Sequence, residues 1–154
     1  MSGAGAPDLS VDGSGLRVAI IAGSWHQEII DGMIAGAEQT LLDSGAEQVL
    51  FRVGGAFELP LAAQAALRAG YDAAVCLGVI VRGGTPHFEY VSSAVTEGLT
   101  RVALDESKPV GFGILTVDTE QQAFDRSGLP GSRESKGQEA AEAALQVAVL
   151  ARTI

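Results

Sequence analysis

The chain has 154 residues, 47% of them hydrophobic and 5% aromatic, with a formal charge of −9. That length and apolar content suit one domain with a core of Ala, Val, Leu and Ile, and exclude a disordered chain. The acidic balance excludes nucleic acid and anionic membrane as main partners, and no apolar run reaches the ~18 residues of a membrane span.

Met1 to Ser14 is rich in Gly, Ser and Asp and lacks the basic and apolar runs of a signal peptide. A flexible arm over residues 1–14, ordered by a neighbouring subunit, is expected, followed by a single domain over 15–154. Leu16 to Ala22 predicts a first strand, followed by Gly23-Ser-Trp-His26. Glu28 to Leu42 sets Ile30, Ile34, Ala37 and Leu41 on one stripe and predicts a helix that stops at Gly45. Gln48 to Val53 predicts a second strand, which runs into Gly54-Gly-Ala-Phe-Glu-Leu-Pro60. Leu59 to Ala69 predicts a short helix with Pro60 in its first turn and Gly70 at its end. Ala73 to Val81 is an unbroken apolar run, the mark of a strand buried on both faces. Glu89 to Leu104 aligns Val91, Val95, Gly98 and Val102 as a helix face. Val110 to Val117 predicts a fourth strand, with Asp118 or Thr119 capping a helix after it. Gly128 to Lys136 reads as an irregular surface loop, and Ala140 to Ala151 as a C-terminal helix. The twenty glycines are expected to make the tight turns between elements.

Strand and helix alternate throughout, which predicts parallel pairing through right-handed crossovers and a three-layer α/β sandwich. The single cysteine, Cys76, cannot form an internal disulfide. It reads as a small buried hydrophobe in a reducing compartment, the cytoplasm.

In open parallel sheets, ligands bind outside the carboxyl ends of the strands. The segments that follow the strands therefore converge on one edge. The third strand ends in Arg82-Gly-Gly-Thr-Pro-His87, where an anion-accepting turn, a cation and an imidazole come together. Trp25 either packs at the sheet rim or stacks on a flat heterocycle. Glu58 either caps a helix start or accepts hydrogen bonds from a substrate. His87 is either a surface turn residue or a proton carrier. Arg126 and Lys136 are either solvated charge or anion contacts. His26 shows no obvious partner and reads as structural or solvent-facing. No further ligand has the spacing to make a metal site with His87 and Glu89, and no phosphate-loop or dinucleotide fingerprint is present.

Three stretches carry a resemblance across most of the chain, from about Leu16 onward. They are Gly55-Ala-Phe-Glu-Leu-Pro60, Gly78-Val-Ile-Val-Arg-Gly-Gly-Thr-Pro-His-Phe-Glu-Tyr90, and Gly113-Ile-Leu-Thr116 followed by Glu120-Gln-Gln-Ala123 and Asp125-Arg-Ser-Gly128. In order and spacing they resemble the 6,7-dimethyl-8-ribityllumazine synthases, transferases of riboflavin biosynthesis. The resemblance implies a flavodoxin-like sandwich with a four-stranded parallel sheet. It implies condensation of 5-amino-6-(D-ribitylamino)uracil with 3,4-dihydroxy-2-butanone 4-phosphate, without metal or organic cofactor. It also implies a homo-oligomer, a pentamer, with active sites shared between neighbours.

By the same resemblance, Trp25, Ala56, Phe57, Glu58, Val79, Ile80, Val81 and Phe112 bind the ribitylaminouracil, with Phe112 contributed across a subunit boundary. Gly84, Thr85, Arg126 and Lys136 bind phosphate, and His87 transfers protons. Gly84 departs from the family, where a larger residue often follows Gly83. The loop from Gly128 to Lys136 is slightly longer than in members that form sixty-subunit shells, which favours the pentamer. The competing readings are a non-enzymatic flavin carrier of flavodoxin-like shape and a purely structural shell protein. The carrier leaves His87 beside the anion turn without a purpose.

Overall fold

Four apolar segments become the strands of one sheet: β1 (Arg17–Ala22), β2 (Glu47–Arg52), β3 (Ala73–Val81) and β4 (Val110–Val117). The computed structural model describes residues 5–8 and 10–154; Met1 to Ala4 and Leu9, within the predicted arm, lie outside the described residues. At the far end of that arm Val11 packs on the core, and the Gly13 N–H donates to the Ser44 carbonyl at 2.8 Å. The strand order is β2-β1-β3-β4, and every pair is parallel, with Val18 opposite both Gln48 and Ala73. The predicted three-layer, flavodoxin-like arrangement is what forms.

The crossovers are α1 (Gln27–Ser44), α2 (Leu59–Arg68) and α3 (His87–Glu106). After β4 come a short α4 (Glu120–Phe124) and the terminal α5 (Lys136–Ala151). The pleat of the strands divides the core. Val18, Ile20, Val75, Leu77 and Leu115 face α1 and α5, whereas Ala19, Ile21, Ala74, Cys76 and Ile114 face α2 and α3. β3 is buried along almost its whole length, as its unbroken apolar run requires. Burial pushes the Cys76 thiol up to about 12.

Helix ends follow local chemistry. Gly45 closes α1 in the left-handed region, at φ 82°, where its N–H reaches the Leu41 and Leu42 carbonyls. The Thr119 hydroxyl accepts from the Gln122 N–H and starts α4, as expected. Two helices begin at least two residues earlier than predicted. α3 starts at His87, because Pro86 supplies a helix-compatible φ of −68° and the Thr85 hydroxyl accepts from the His87 N–H. α5 starts at Lys136, which draws Gly137 into the helix. There a Cβ would lie 2.0 Å from the Met33 carbonyl oxygen of α1. Some glycines therefore serve close packing rather than the turns that were expected.

Candidate functional site

The chain leaves β1 toward β2 on one side and β3 toward β4 on the other, so a crevice opens between β1 and β3 at their carboxyl ends. Backbone hydrogen bonds join the loops around it. The Gly23 N–H donates to Leu77 O at 2.9 Å, and the Ser24 N–H to Gly54 O at 3.0 Å. The Ser24 hydroxyl donates to Val53 O at 2.7 Å. The Arg52 guanidinium reaches Gly23 O at 3.0 Å. The post-strand segments thus form one platform rather than independent loops.

An open cavity of about 820 Å³ sits on that platform, within the size range of small-molecule sites. Of the predicted site residues, Trp25, Ala56, Phe57, Glu58, Val79, Ile80, Val81 and His87 all line it. Trp25, Phe57 and Tyr90 are 69%, 64% and 74% exposed, so three aromatic surfaces stand open around a small-molecule volume. Trp25 is set by its neighbour: a Cβ on Gly55 would lie 3.3 Å from its Cδ1 and Nε1. A second concavity, about 670 Å³ between α1 and α5, contains none of the residues predicted to contact the uracil, and none of those predicted to hold phosphate.

Glu58 ends a 3₁₀ turn (Ala56–Glu58), and its Oε2 accepts the Gly55 N–H at 3.1 Å. The capping alternative is therefore realised, in a side chain that also borders the cavity. His87 occupies the first turn of α3 rather than a free loop. Val79 to Val81 bring the end of β3 to the cavity floor.

The cation expected beside the anion turn is committed elsewhere. Arg82 donates from Nε to Asp118 Oδ1 at 2.8 Å, pairs with Glu89, and covers the Phe88 ring at 4.3 Å from its centroid. The hydrogen bonds with Asp118 and then Glu89 hold its guanidinium above its ordinary range, and Arg82 in turn holds the Glu89 carboxyl low. Glu89 is therefore an ion-pair partner, and among the described residues no His, Cys, Asp and Glu cluster could hold a metal.

The remaining predicted residues lie outside the cavity. Gly84 and Thr85 are exposed in the connection from β3 to α3, and a Cβ on Gly83 or Gly84 would meet nothing within 4 Å. Phe112 projects from β4, an edge strand, and is 46% exposed. Arg126 donates from Nη1 to Gln122 O at 2.8 Å. The Lys136 N–H donates to Arg126 O at 3.0 Å, which brings these two residues together. The Lys136 ammonium lies 3.2 Å from Glu134 and 2.8 Å from Glu139. Burial would lower it, but the hydrogen bonds with Glu139 and Glu134 win and hold it above its usual value.

Five residues that line the cavity were not among the predicted site residues: His26, Gly54, Gly55, Tyr90 and Val91. His26 was read as partnerless, yet it lines the cavity with Nδ1 3.7 Å from Glu120 Oε1. Its left-handed backbone, φ 57°, turns the chain from the Trp25 loop into α1 and costs a non-glycine residue on the order of 1 kcal/mol. Nothing in the sequence marks such a φ. Tyr90 lies three residues beyond His87 on the same helix face, and that spacing could have found it.

Known proteins resemble this chain over nearly its whole length. The family profile described as 6,7-dimethyl-8-ribityllumazine synthase matches residues 15–152. A 6,7-dimethyl-8-ribityllumazine synthase of Leifsonia xyli subsp. xyli is 64% identical over 156 aligned positions, covering 100% of this chain and 99% of the relative. The enzyme of that name from Clavibacter michiganensis subsp. michiganensis is 59% identical, with 100% and 98% covered. That from Kineococcus radiotolerans is 57% identical, with 100% and 96% covered. The chain belongs to the 6,7-dimethyl-8-ribityllumazine synthase family.

Proposed function

We propose that this protein condenses 5-amino-6-(D-ribitylamino)uracil with 3,4-dihydroxy-2-butanone 4-phosphate, releasing 6,7-dimethyl-8-ribityllumazine, one phosphate and two waters. Membership of the family supports this enzyme reading over the flavin carrier. The observation that carries it in the structure is one cavity bordered by Trp25, Glu58 and His87. In that reading Trp25 stacks on the pyrimidine, the segment Ala56 to Glu58 takes the ribityl chain, and the end of β3, Val79 to Val81, addresses the uracil. His87 moves protons as the amine attacks the ketone, water leaves to form an imine, phosphate is eliminated and the ring closes. Imidazole titrates near neutrality and suits both acid and base steps. Holding two reactants in one pocket supplies most of the remaining acceleration.

Phosphate is taken by Gly84, Thr85, Arg126 and Lys136. Phe112, Arg126 and Lys136 lie away from their own chain's cavity, so a second copy supplies them across a subunit boundary, in a homopentamer. Exposed apolar side chains at Phe112, Leu104 and along β2, at Val49, Leu50 and Phe51, support such an interface. Between its two carboxylates, Lys136 contributes less to anion binding than Arg126 does. The enzyme works in the cytoplasm, where its single thiol stays reduced.

The test is incubation of the purified protein with both substrates. Growth of lumazine absorbance and fluorescence, matched by one phosphate per lumazine, is expected. Tight flavin binding without turnover would return the carrier reading. Light scattering tests the pentamer, and a monomer in solution would reject the shared site.

A further inference from the structure

We propose that Arg82 is a positioning residue for the reaction, holding the first turn of α3 so that His87 faces the cavity. The inference rests on the synthase reading above. Its basis is the way one guanidinium joins three elements. The Arg82 backbone N–H donates to Val117 O at 2.8 Å, at the end of β3 beside β4. Its side chain then bonds Asp118, just past β4, and Glu89, in the first turn of α3, while stacking over Phe88.

At about 100° per residue, His87, Tyr90 and Val91 share one face of that turn, and Phe88 and Glu89 share the other. The first face lines the cavity and the second meets Arg82. The connection between them offers little restraint of its own. Gly83 and Gly84 have nothing packed against their side-chain positions, and the Thr85 hydroxyl accepts the His87 N–H at a long 3.4 Å. Among the described residues, no hydrogen bond or ion pair holds the His87 imidazole itself. Its placement is inherited from the backbone that Arg82 fixes.

Stability does not account for this network. Arg82, Glu89 and Asp118 are 46%, 56% and 62% exposed, and ion pairs that wet contribute little to folding. Phosphate binding does not account for it either, because both carboxylates and the Phe88 ring occupy the guanidinium. Lysine cannot reproduce two carboxylate contacts and a stacked plane from a single point charge.

The experiment compares Arg82→Gln, Arg82→Lys, His87→Ala and the double variant Arg82→Gln/His87→Ala. Arg82→Gln should lower kcat about 10- to 100-fold, as small misplacements of a reacting group do, with both KM values within about twofold. Arg82→Lys should fall between it and the parent, and provides the second reading if the glutamine variant folds poorly. Melting should shift by no more than about 3 °C. In the His87→Ala background the same change should lower kcat less than about twofold, because the residue acts through His87. A parental kcat in Arg82→Gln, a multiplicative loss in the double variant, or a raised KM for the butanone phosphate with kcat intact would overturn the assignment. Hydrogen exchange of amides 87–91 gives a readout that needs no turnover. Exchange about tenfold faster in Arg82→Gln, with α5 unchanged, is expected, and unchanged exchange at the start of α3 overturns the proposal. If the parent protein makes no lumazine, the synthase reading fails while this exchange result still decides what Arg82 holds.

Discussion

His87 and Arg126 are expected to fail in different ways. Replacing His87 by alanine removes a proton carrier but leaves the cavity walls, so kcat should fall by about 10²-fold while turnover stays measurable. A parental rate would remove His87 from the chemistry. Arg126→Ala deletes a fork-shaped cation that donates from Nη1 to Gln122 O. The KM for the phosphate substrate should rise about 10- to 100-fold, the loss of a charge-assisted pair of hydrogen bonds, with far less change for the uracil. An unaltered phosphate KM in steady-state kinetics would reject that role. That Trp25, Glu58 and His87 would meet around one cavity was legible because each follows a strand, and the parallel sheet carries strand ends to one edge. Phe112 and Lys136 obey no such rule. Phe112 sits inside β4 and Lys136 opens a helix, and resemblance to a family was needed to give either a definite role.

Among the elements, the strands were read almost to the residue: β3 because a run buried on both faces leaves polar residues no place to intrude, and β2, though exposed, because its Val-Leu-Phe run stands between a glycine turn and a glycine pair. The start of α5 was not. Ser135 and Gln138 have the spacing of a helix start, but Gly137 between them argues against helix on propensity. Packing decides there, since Gly137 lies against the Met33 carbonyl of α1. Gly137→Ala would push Cβ into backbone that cannot yield, and should cost about 3 kcal/mol in denaturant unfolding despite the better helix former. No loss would mean that α1 and α5 slide apart freely. The α2–α3 pair is joined differently. Glu106 accepts from Arg68 at 3.1 and 3.2 Å and from Gln64 at 3.2 Å. The Arg68 bond is the main cause of its lowered pKa. A carboxyl lowered on folding contributes stability above its ordinary 4.5, and loses it as the pH falls through the folded value. Glu106→Gln should therefore melt below the parent at pH 7 and converge with it toward pH 3. A constant gap would show that the pairing does not matter.

At the scale of the whole molecule, charge and site disagree in sign, and locality resolves it. A chain of net charge −9 is read as accepting a phosphate ester because Arg126 acts over a few ångströms, within the reach of unscreened attraction. Alternation of strand and helix was enough to fix the layers before any contact was known. The relation between chains was not legible that way, since an apolar patch looks the same in a sequence whether it covers a core or meets a neighbour.

Cys76 lies at the middle of β3, wholly buried, with its proton held to about pH 12. No alkylating reagent should reach it while the layers stay closed, so each labelled molecule records one complete opening. At pH 8, modification by iodoacetamide should be slow and proportional to reagent concentration, at a rate set by the small equilibrium population of the unfolded chain. Rapid labelling of the native protein would reveal a breathing motion at the very centre of the sheet.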